Sequence, residues 1–432
     1  MNLLPPSLLD AAIDRPVMVG FSGGLDSTAL LHLLANAPAR APGSLRAVHV
    51  HHGLQSQADA WELHCRDVCR QWNIPLQVVR VEVARDSGDG LEAAARAARH
   101  GAFKTQLQDG EWLALAHHED DQAETFLLRA LRGSGIDGLA AMRHLRAFGN
   151  GQLWRPLLPV SRATLEAYAQ HHQLPWIDDP SNDSDSFDRN FLRLQVLPLL
   201  RERWPQAAAA MARSAGLAAD ASNLLERQDE DDLQTCLREN NTLSIAALKQ
   251  LPGARQSRVL RRWARQRGLP PLPANGVRSI QQHVLPAADD QQAEFRWGGA
   301  RIIRWRGHLH AATRLPEWPP GWQTQWDGHN PAQLPDGATL SLLGAAAFDT
   351  PLSLRQRHGG ERIQLPGREH SHQLKHRLQA SDTPPWLRAH LPLLCDGDEV
   401  LAAGDGIISA SLQQWLQAHD ARLLWQPPDP VN

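Results

Sequence analysis

The 432-residue chain holds three lysines, Lys104, Lys249 and Lys375, and none lies near the glycine turn at residues 23–24. A phosphate loop of the type GxxxxGK followed by Ser or Thr needs such a lysine, so that class is excluded. Four cysteines, Cys65, Cys69, Cys236 and Cys395, are too few for a disulfide framework. No CxxC occurs, so neither a zinc ribbon nor a paired-cysteine iron–sulfur site is supported. Cys65 and Cys69 are expected on one helix as small buried side chains. No apolar run approaches the ~18–20 residues that span a bilayer. The first fifteen residues carry Asp10, Asp14 and Arg15, unlike the basic start and apolar core of a signal peptide, and the expected location is the cytoplasm. Charge is close to balance, with a net value of −3 and a pI of about 6.7, which excludes bulk basicity but not local patches.

Residues 17–27, VMVGFSGGLDS, open on a β-prone run from Val17 to Phe21. They pass through Ser22, Gly23, Gly24, Leu25, Asp26 and Ser27 into an apolar helix. Strand, glycine turn and helix N-terminus make an anion site: glycine lets the backbone approach, and the first helical N–H groups have no partner in the helix. Ser22 and Ser27 add hydroxyl donors. Asp26 suits such a site only with a divalent cation between it and a phosphate. The stretch predicts a magnesium–pyrophosphate cradle. It resembles the SGGxDS loop of the PP-loop ATP pyrophosphatase superfamily, whose members cleave ATP to AMP and pyrophosphate.

Further strands are expected at residues 45–50, 76–83, 111–116 and 153–158. Helices are expected at 59–73, from Gly90 to about Gln108, and from His117 onward. This alternation implies an α/β fold with a doubly wound parallel sheet, Rossmann-like, whose ligands bind beyond the carboxyl ends of the strands. A helix at 161–176, a polar loop at 177–190, a helix at 191–200 and an alanine-rich helix from Trp204-Pro205 to about Leu225 follow. The acidic run Glu226, Asp229, Glu230, Asp231 and Asp232 reads as a solvated face. Arg255, Arg258, Arg261, Arg262, Arg265 and Arg267 crowd the next helix, with Val259, Leu260 and Trp263 as its apolar side. Residues 295–306, FRWGGARIIRWR, read as a hairpin, and 316–335 as a linker. The expected domains are a catalytic one at 1–205, a mostly helical one at 206–320 and a small α+β one at 336–432.

The segment after the fourth strand carries His117, Asp120, Asp121, Glu124 and Thr125. On a helix, His117, Asp121 and Glu124 stand at i, i+4 and i+7 and share a face. Three carboxylates at a helix start gain from the dipole but repel one another unless they meet a cation or an ammonium group. Asp120 stands beside that face or caps the helix. HxxDDxxET is also the second pattern of one branch of the superfamily, the tRNA(Ile)-lysidine synthetase family, and the resemblance spans nearly the whole chain. It includes HVHHGL at 49–54, GLEAAARAAR at 90–99, AHHEDDQAET at 116–125, RGSG at 132–135, RPLL at 155–158, SNDSDSFDRNFLR at 181–193 and PPWLR at 384–388. The C-terminal half resembles the long form of the family, with two small domains after the catalytic one.

The resemblance implies an enzyme using ATP and magnesium. ATP adenylates the carbonyl oxygen at position 2 of the wobble cytidine in the CAU anticodon of an isoleucine tRNA, and free L-lysine then displaces AMP to form lysidine. Ser22, Gly23, Gly24, Leu25, Asp26 and Ser27 would hold the nucleotide, Asp26 the metal, and the chain near His49 the adenine. Arg96 matches a family arginine and Arg99 lies one turn on. Lysine arrives protonated, so His117, Asp121 and Glu124 are the candidates for binding its ammonium group or taking its proton. Arg189 and Arg193 match the family's RNxxR and either reach the anticodon or ATP, or pair with Asp178, Asp179 and Asp188. Arg261 and Arg265, with Arg368, Lys375 and Arg388 in the last domain, are the expected tRNA contacts, against the alternative of an exposed basic face. The family's lysines near 367–378 give way here to His370, His372 and His376, which are mostly neutral at pH 7. The expected partners are the tRNA, lysine and ATP, with no membrane, and a homodimer is left open. The alternatives are a PP-loop tRNA thiolase, which the missing cysteine pairs oppose, and a non-catalytic nucleotide- or RNA-binding protein, which has no need for Asp26, Asp121 and Glu124 together.

Overall fold

The computed structural model describes residues 3, 12, 15–37, 43–53, 57–83, 91–179, 187–288, 293–313, 315–368, 370–381 and 383–427. Asp10, Asp14, Leu54, Gly90 and residues 180–186 of the polar loop, all named above, lie outside them. The chain divides into two units, Met1–Glu226 and Arg227–Asn432.

In the first unit, β1 (Val17–Gly20), α1 (Leu25–Ala35), β2 (Leu45–His51), α2 (Ala58–Gln71), β3 (Leu76–Arg80), α3 (Leu91–Gln106) and β4 (Trp112–Ala114) alternate. α4 (Glu119–Leu131), the one-turn α5 (Ile136–Leu139), β5 (Leu145–Phe148), β6 (Gly151–Trp154) and α6 (Arg162–His171) follow. The sheet order is β3-β2-β1-β4-β6-β5, parallel except for the β5–β6 hairpin. Val17, Met18 and Val19 are fully buried, as a central parallel strand covered on both faces requires. The chain winds from β1 outward to β3 and then returns to the other side of β1 with β4. The switch point therefore falls between β1 and β4, and their carboxyl ends open the crevice where such sheets bind ligands.

The fifth expected strand falls at β6 instead of 153–158, and its hairpin partner β5 went unread. LRAF of β5 is nearly all exposed, an edge strand with no apolar alternation to signal it. After α7 (Asp188–Phe191), a π-helical turn at Leu192–Val196 and α8 (Leu197–Arg203), the helix α9 runs from Ala207 to Cys236 and does not end near Leu225.

The second unit opens with the last part of α9, β7 (Leu237–Arg238) and β8 (Thr242–Ser244), then α10 (Ile245–Gln250), α11 (Gly253–Gln266) and α12 (Ala274–Ser279). β9 (Glu294–Trp297) and β10 (Ala300–Trp305) form the expected hairpin, and β11 (His308–Thr313) extends it. The acidic run is a solvated face only at Glu226 and Asp231. Asp229 and Asp232 are buried, and Asp229, Glu230 and Asp232 pair with Arg258, Arg262 and Arg255 of α11. The segment at 316–335 is not a linker either: it supplies β12 (Gln323–Trp326) and β13 (Ala332–Gln333), and its Trp318 and Trp326 are buried. β14 (Thr339–Leu343), β15 (Leu352–Arg355), β16 (Arg362–Ile363), β17 (His372–Gln373), α13 (Leu374–Ala380), β18 (Leu393–Asp396), β19 (Glu399–Ala403), β20 (Ile407–Ile408), α14 (Ala410–Ala418) and β21 (Arg422–Gln426) complete the unit in small antiparallel sheets. Among the described residues no helix is long and apolar enough to cross a membrane.

Candidate active site

The turn after β1 is shaped for an anion. Gly23 has φ +84°, and a Cβ there would lie 3.0 Å from the Cys65 sulfur, so the position suits glycine. Gly24 precedes α1 without a side-chain cap, leaving first-turn N–H groups of α1 uncapped. The Ser22 and Ser27 hydroxyls lie 3.0 Å apart, and Ser27 Oγ donates to Gly24 O. Ile177 N donates to Gly23 O at 2.9 Å, tying the turn to the segment after α6. Asp26 Oδ1 is buried and has no hydrogen-bond partner among the described residues, the condition expected of an oxygen reserved for a cation.

A cavity of about 430 Å³ lies over this turn. Ser22, Gly24, Asp26 and Ser27 of the turn are on its wall with His49, Arg99, His117, Asp121 and Arg193. His49 is buried with Nδ1 3.0 Å from Phe21 O, and burial lowers its pKa. Burial, helped by the nearby Arg99, lowers His52 to about 4. Arg162, Asp178 and Asp179 also border the cavity. Arg96 is exposed on α3 and lowers the pKa of His117 and His100 through its charge.

The second constellation differs from its sequence reading. α4 begins at Glu119, so His117 precedes the helix and does not stand on its face. His117 Nδ1 lies 3.2 Å from Arg155 Nε, which donates to it, and burial lowers the imidazole to about 3. It is therefore a neutral acceptor. Asp120 is not the cap: its Oδ2 accepts from Arg162 N, and its Oδ1 meets Arg201. The reciprocal carboxylate is Asp121, whose Oδ2 accepts from His118 N at 3.1 Å. Arg189 and Arg193 neither extend outward nor pair with Asp188, which faces Arg132 at 3.7 Å. Both bind α4. Arg189 Nε donates to Glu124 Oε2 at 2.7 Å, Arg193 Nε to Glu124 Oε1 at 2.6 Å, and Arg193 Nη2 to Asp121 Oδ1 at 3.0 Å. Glu124 is fully buried behind the cavity wall, and Asp121 is on the wall. Burial works against ionisation of Asp121, but His118 and the two arginines outweigh it and hold the carboxyl at about 2.

Sequence reading gave no role to His118. Its ring is buried, with Nε2 3.6 Å from Asp26 Oδ2 and 3.5 Å from Asp121 Oδ2, so it bridges the turn and α4. Burial alone would lower its pKa; Asp26 and Asp121 raise it instead. Its position just ahead of an acidic first turn was the available signal. Arg155, inside RPLL, was also unassigned; it is buried, and desolvation lowers it to about 10. Burial pushes the Cys65 and Cys69 thiols up to about 12, which makes them inert.

In the second unit, Arg261 and Arg265 stand exposed on α11, next to its acid-paired Arg258 and Arg262 at helical spacing. Arg368 and Lys375 are exposed as well. Arg388 is half-buried, and its Nε donates to Thr383 O at 2.9 Å.

A doubly wound sheet with an SGGxDS turn at its switch point defines a PP-loop nucleotide-activating domain, and a family model described as a PP-loop domain matches residues 6–200. Two more, described as a TilS substrate binding domain and a TilS substrate C-terminal domain, match residues 243–310 and 352–425. A tRNA(Ile)-lysidine synthase of Xanthomonas campestris is 56% identical over 98% of both chains. One of Xylella fastidiosa is 53% identical over 95% of both. One of Escherichia coli O157:H7 is 42% identical over 91% of this chain and 93% of that one. The chain belongs to the tRNA(Ile)-lysidine synthase family.

Proposed function

We propose that the protein joins the ε-amine of free L-lysine to carbon 2 of the wobble cytidine in a CAU-anticodon isoleucine tRNA. ATP is consumed to AMP and pyrophosphate. The observation that carries this reading is one cavity bordered by both the serine–glycine turn and the ionised Asp121. A leaving group and an attacking amine need those two features side by side.

The base carbonyl oxygen attacks the α-phosphorus of ATP and the bond to pyrophosphate breaks. Ser22, Ser27 and the uncapped N–H groups of α1 bind the departing charge. Asp26, with its unpartnered Oδ1, would hold Mg2+, which neutralises phosphate charge. The chain near His49 borders the adenine, and Arg96 faces phosphate. In the second step the lysine amine forms the bond to carbon 2 and AMP leaves with the former carbonyl oxygen. Asp121 stays ionised and binds the ammonium group as it enters; neutral His117, with Nδ1 taken by Arg155 and the proton on Nε2, adds no opposing charge. The proton passes to solvent water before attack, since a free lysine amine has a pKa of about 10.4 and neither Asp121 nor His117 is basic enough to keep it. Arg189 and Arg193 set the position of Asp121 and Glu124, a role distinct from the RNA contact that the RNxxR match suggested.

The parts at 206–320 and 336–432 hold the tRNA, with Arg261, Arg265, Arg368, Lys375 and Arg388 as contacts, and the enzyme works in the cytoplasm. ATP–pyrophosphate exchange tests the reading. It is expected with the CAU isoleucine tRNA and absent without tRNA, and Asp26→Asn is expected to lose at least a hundredfold. No exchange with that tRNA overturns the proposed reaction; full activity in Asp26→Asn overturns the metal role.

A further inference from the structure

PPWLR at 384–388 has no part in the chemistry above, yet it builds a second cavity, of about 380 Å³, wholly within the second unit. Trp305 ends β10, His310 lies on β11, and Trp386 comes from the motif. Their rings pack edge-on: Trp305 to His310 at 5.4 Å, His310 to Trp386 at 5.1 Å and Trp305 to Trp386 at 6.0 Å. Leu315, Pro384 and Leu387 add apolar wall.

The charge of this cavity has one sign. Arg267 and Arg301 line it, no Asp or Glu does among the described residues, and Glu294, whose charge acts on Arg301, stands outside the lining. Arg301 Nε is buried and has no hydrogen-bond partner among the described residues. A desolvated guanidinium donor left open costs free energy unless a ligand supplies an acceptor. Burial also lowers His310 to about 4, so its ring is a neutral surface. The Arg306 guanidinium lies 4.7 Å over the Trp305 ring on the neighbouring surface. Flat aromatic walls, an unmatched donor and positive charge without acid together suit a planar heterocycle attached to a phosphate chain. An acidic peptide would use the arginines but has no need of three converging rings.

We propose that this cavity takes one unstacked nucleobase of the tRNA, with a base carbonyl or adjacent phosphate oxygen accepting from Arg301. The inference rests on the reading that tRNA is the substrate. Both matched substrate regions contribute to the wall: Trp305 and His310 lie within residues 243–310, and Trp386 within 352–425.

The test is chemical probing of the unpaired bases of the CAU isoleucine tRNA bound to the full-length enzyme, alongside steady-state kinetics. Wild type is expected to protect an unpaired base that becomes reactive again with Trp386→Ala and is protected again with Trp386→Phe. Arg301→Gln, which leaves the rings in place, is expected to weaken the same protection. KM for tRNA should rise roughly tenfold in Trp386→Ala, as loss of one stacked base implies, with kcat at saturating tRNA within about twofold. If thermal melting shows that Trp386→Ala does not fold, Arg301→Gln and Trp386→Phe carry the comparison. Unchanged protection of every base in the folded variants, or a KM shift under about twofold, overturns the cavity's role. Protection that depends on Trp386 while wild type shows no exchange would overturn the reaction and leave the cavity standing.

Discussion

At the scale of single residues, two adjacent histidines have opposite characters. His117 lies against Arg155 in a desolvated place and is lowered to about 3, whereas His118 faces Asp26 and Asp121 and is raised. The sequence shows only HH; which ring meets an arginine and which meets two carboxylates is set by where β4 ends and α4 begins. An NMR titration of the imidazoles is expected to find His117 unprotonated from pH 8 down to about 4 and His118 still protonated above pH 6.5. The raised pKa means that His118 contributes stability fully below about 6.5, and that this is lost as pH rises through the folded-state value. The stability gap between wild type and His118→Asn should therefore narrow from pH 6 toward pH 9 in urea unfolding. A His118 midpoint at or below 6.5 contradicts the bridge.

At the scale of elements, the arginines of α11 divide by partner. Arg255, Arg258 and Arg262 meet the carboxylates of α9, and Arg261 and Arg265 are exposed. The sequence displayed both charge runs, but it read the acids as solvated because a helix periodicity does not name the partner across a helix pair. Arg258→Ala leaves Asp229 buried and unpaired and is expected to cost about 3 kcal/mol in urea unfolding. Arg261→Ala is expected to stay within about 0.5 kcal/mol of wild type and to lower the salt slope of tRNA binding by about 1. Equal effects on stability would remove the distinction. The same limit hid β5, an exposed edge strand, and β12 and β13, whose Pro- and Gly-rich surroundings read as a linker until tryptophans were seen buried there.

At the scale of the molecule, the two units carry separate cores. The first has a core on β1 and α1; the second has one around α11 and another among the later small sheets. Every residue of the serine–glycine turn and its cavity belongs to the first. Calorimetry of the full chain is expected to show two transitions. ATP with Mg2+ at a hundred times its Kd should stabilise the first unit by about 2.7 kcal/mol and leave the other within error. A single transition that moves as a whole with ATP would mean that the units unfold together.

The sequence by itself determined the parallel α/β sheet, the serine–glycine turn, the carboxylate-rich helix start and the family. These are local: periodicity, glycine placement and motif order act over a few residues at a time. The tertiary structure alone decided that Glu124 is sealed behind two arginines, that Asp121 stands on the wall, and that His118 links α4 to Asp26. It also brought Trp305, His310 and Trp386 to one cavity. Each of these depends on residues far apart in the chain, and on burial that fixes their charge. Spacing along the chain encodes neither.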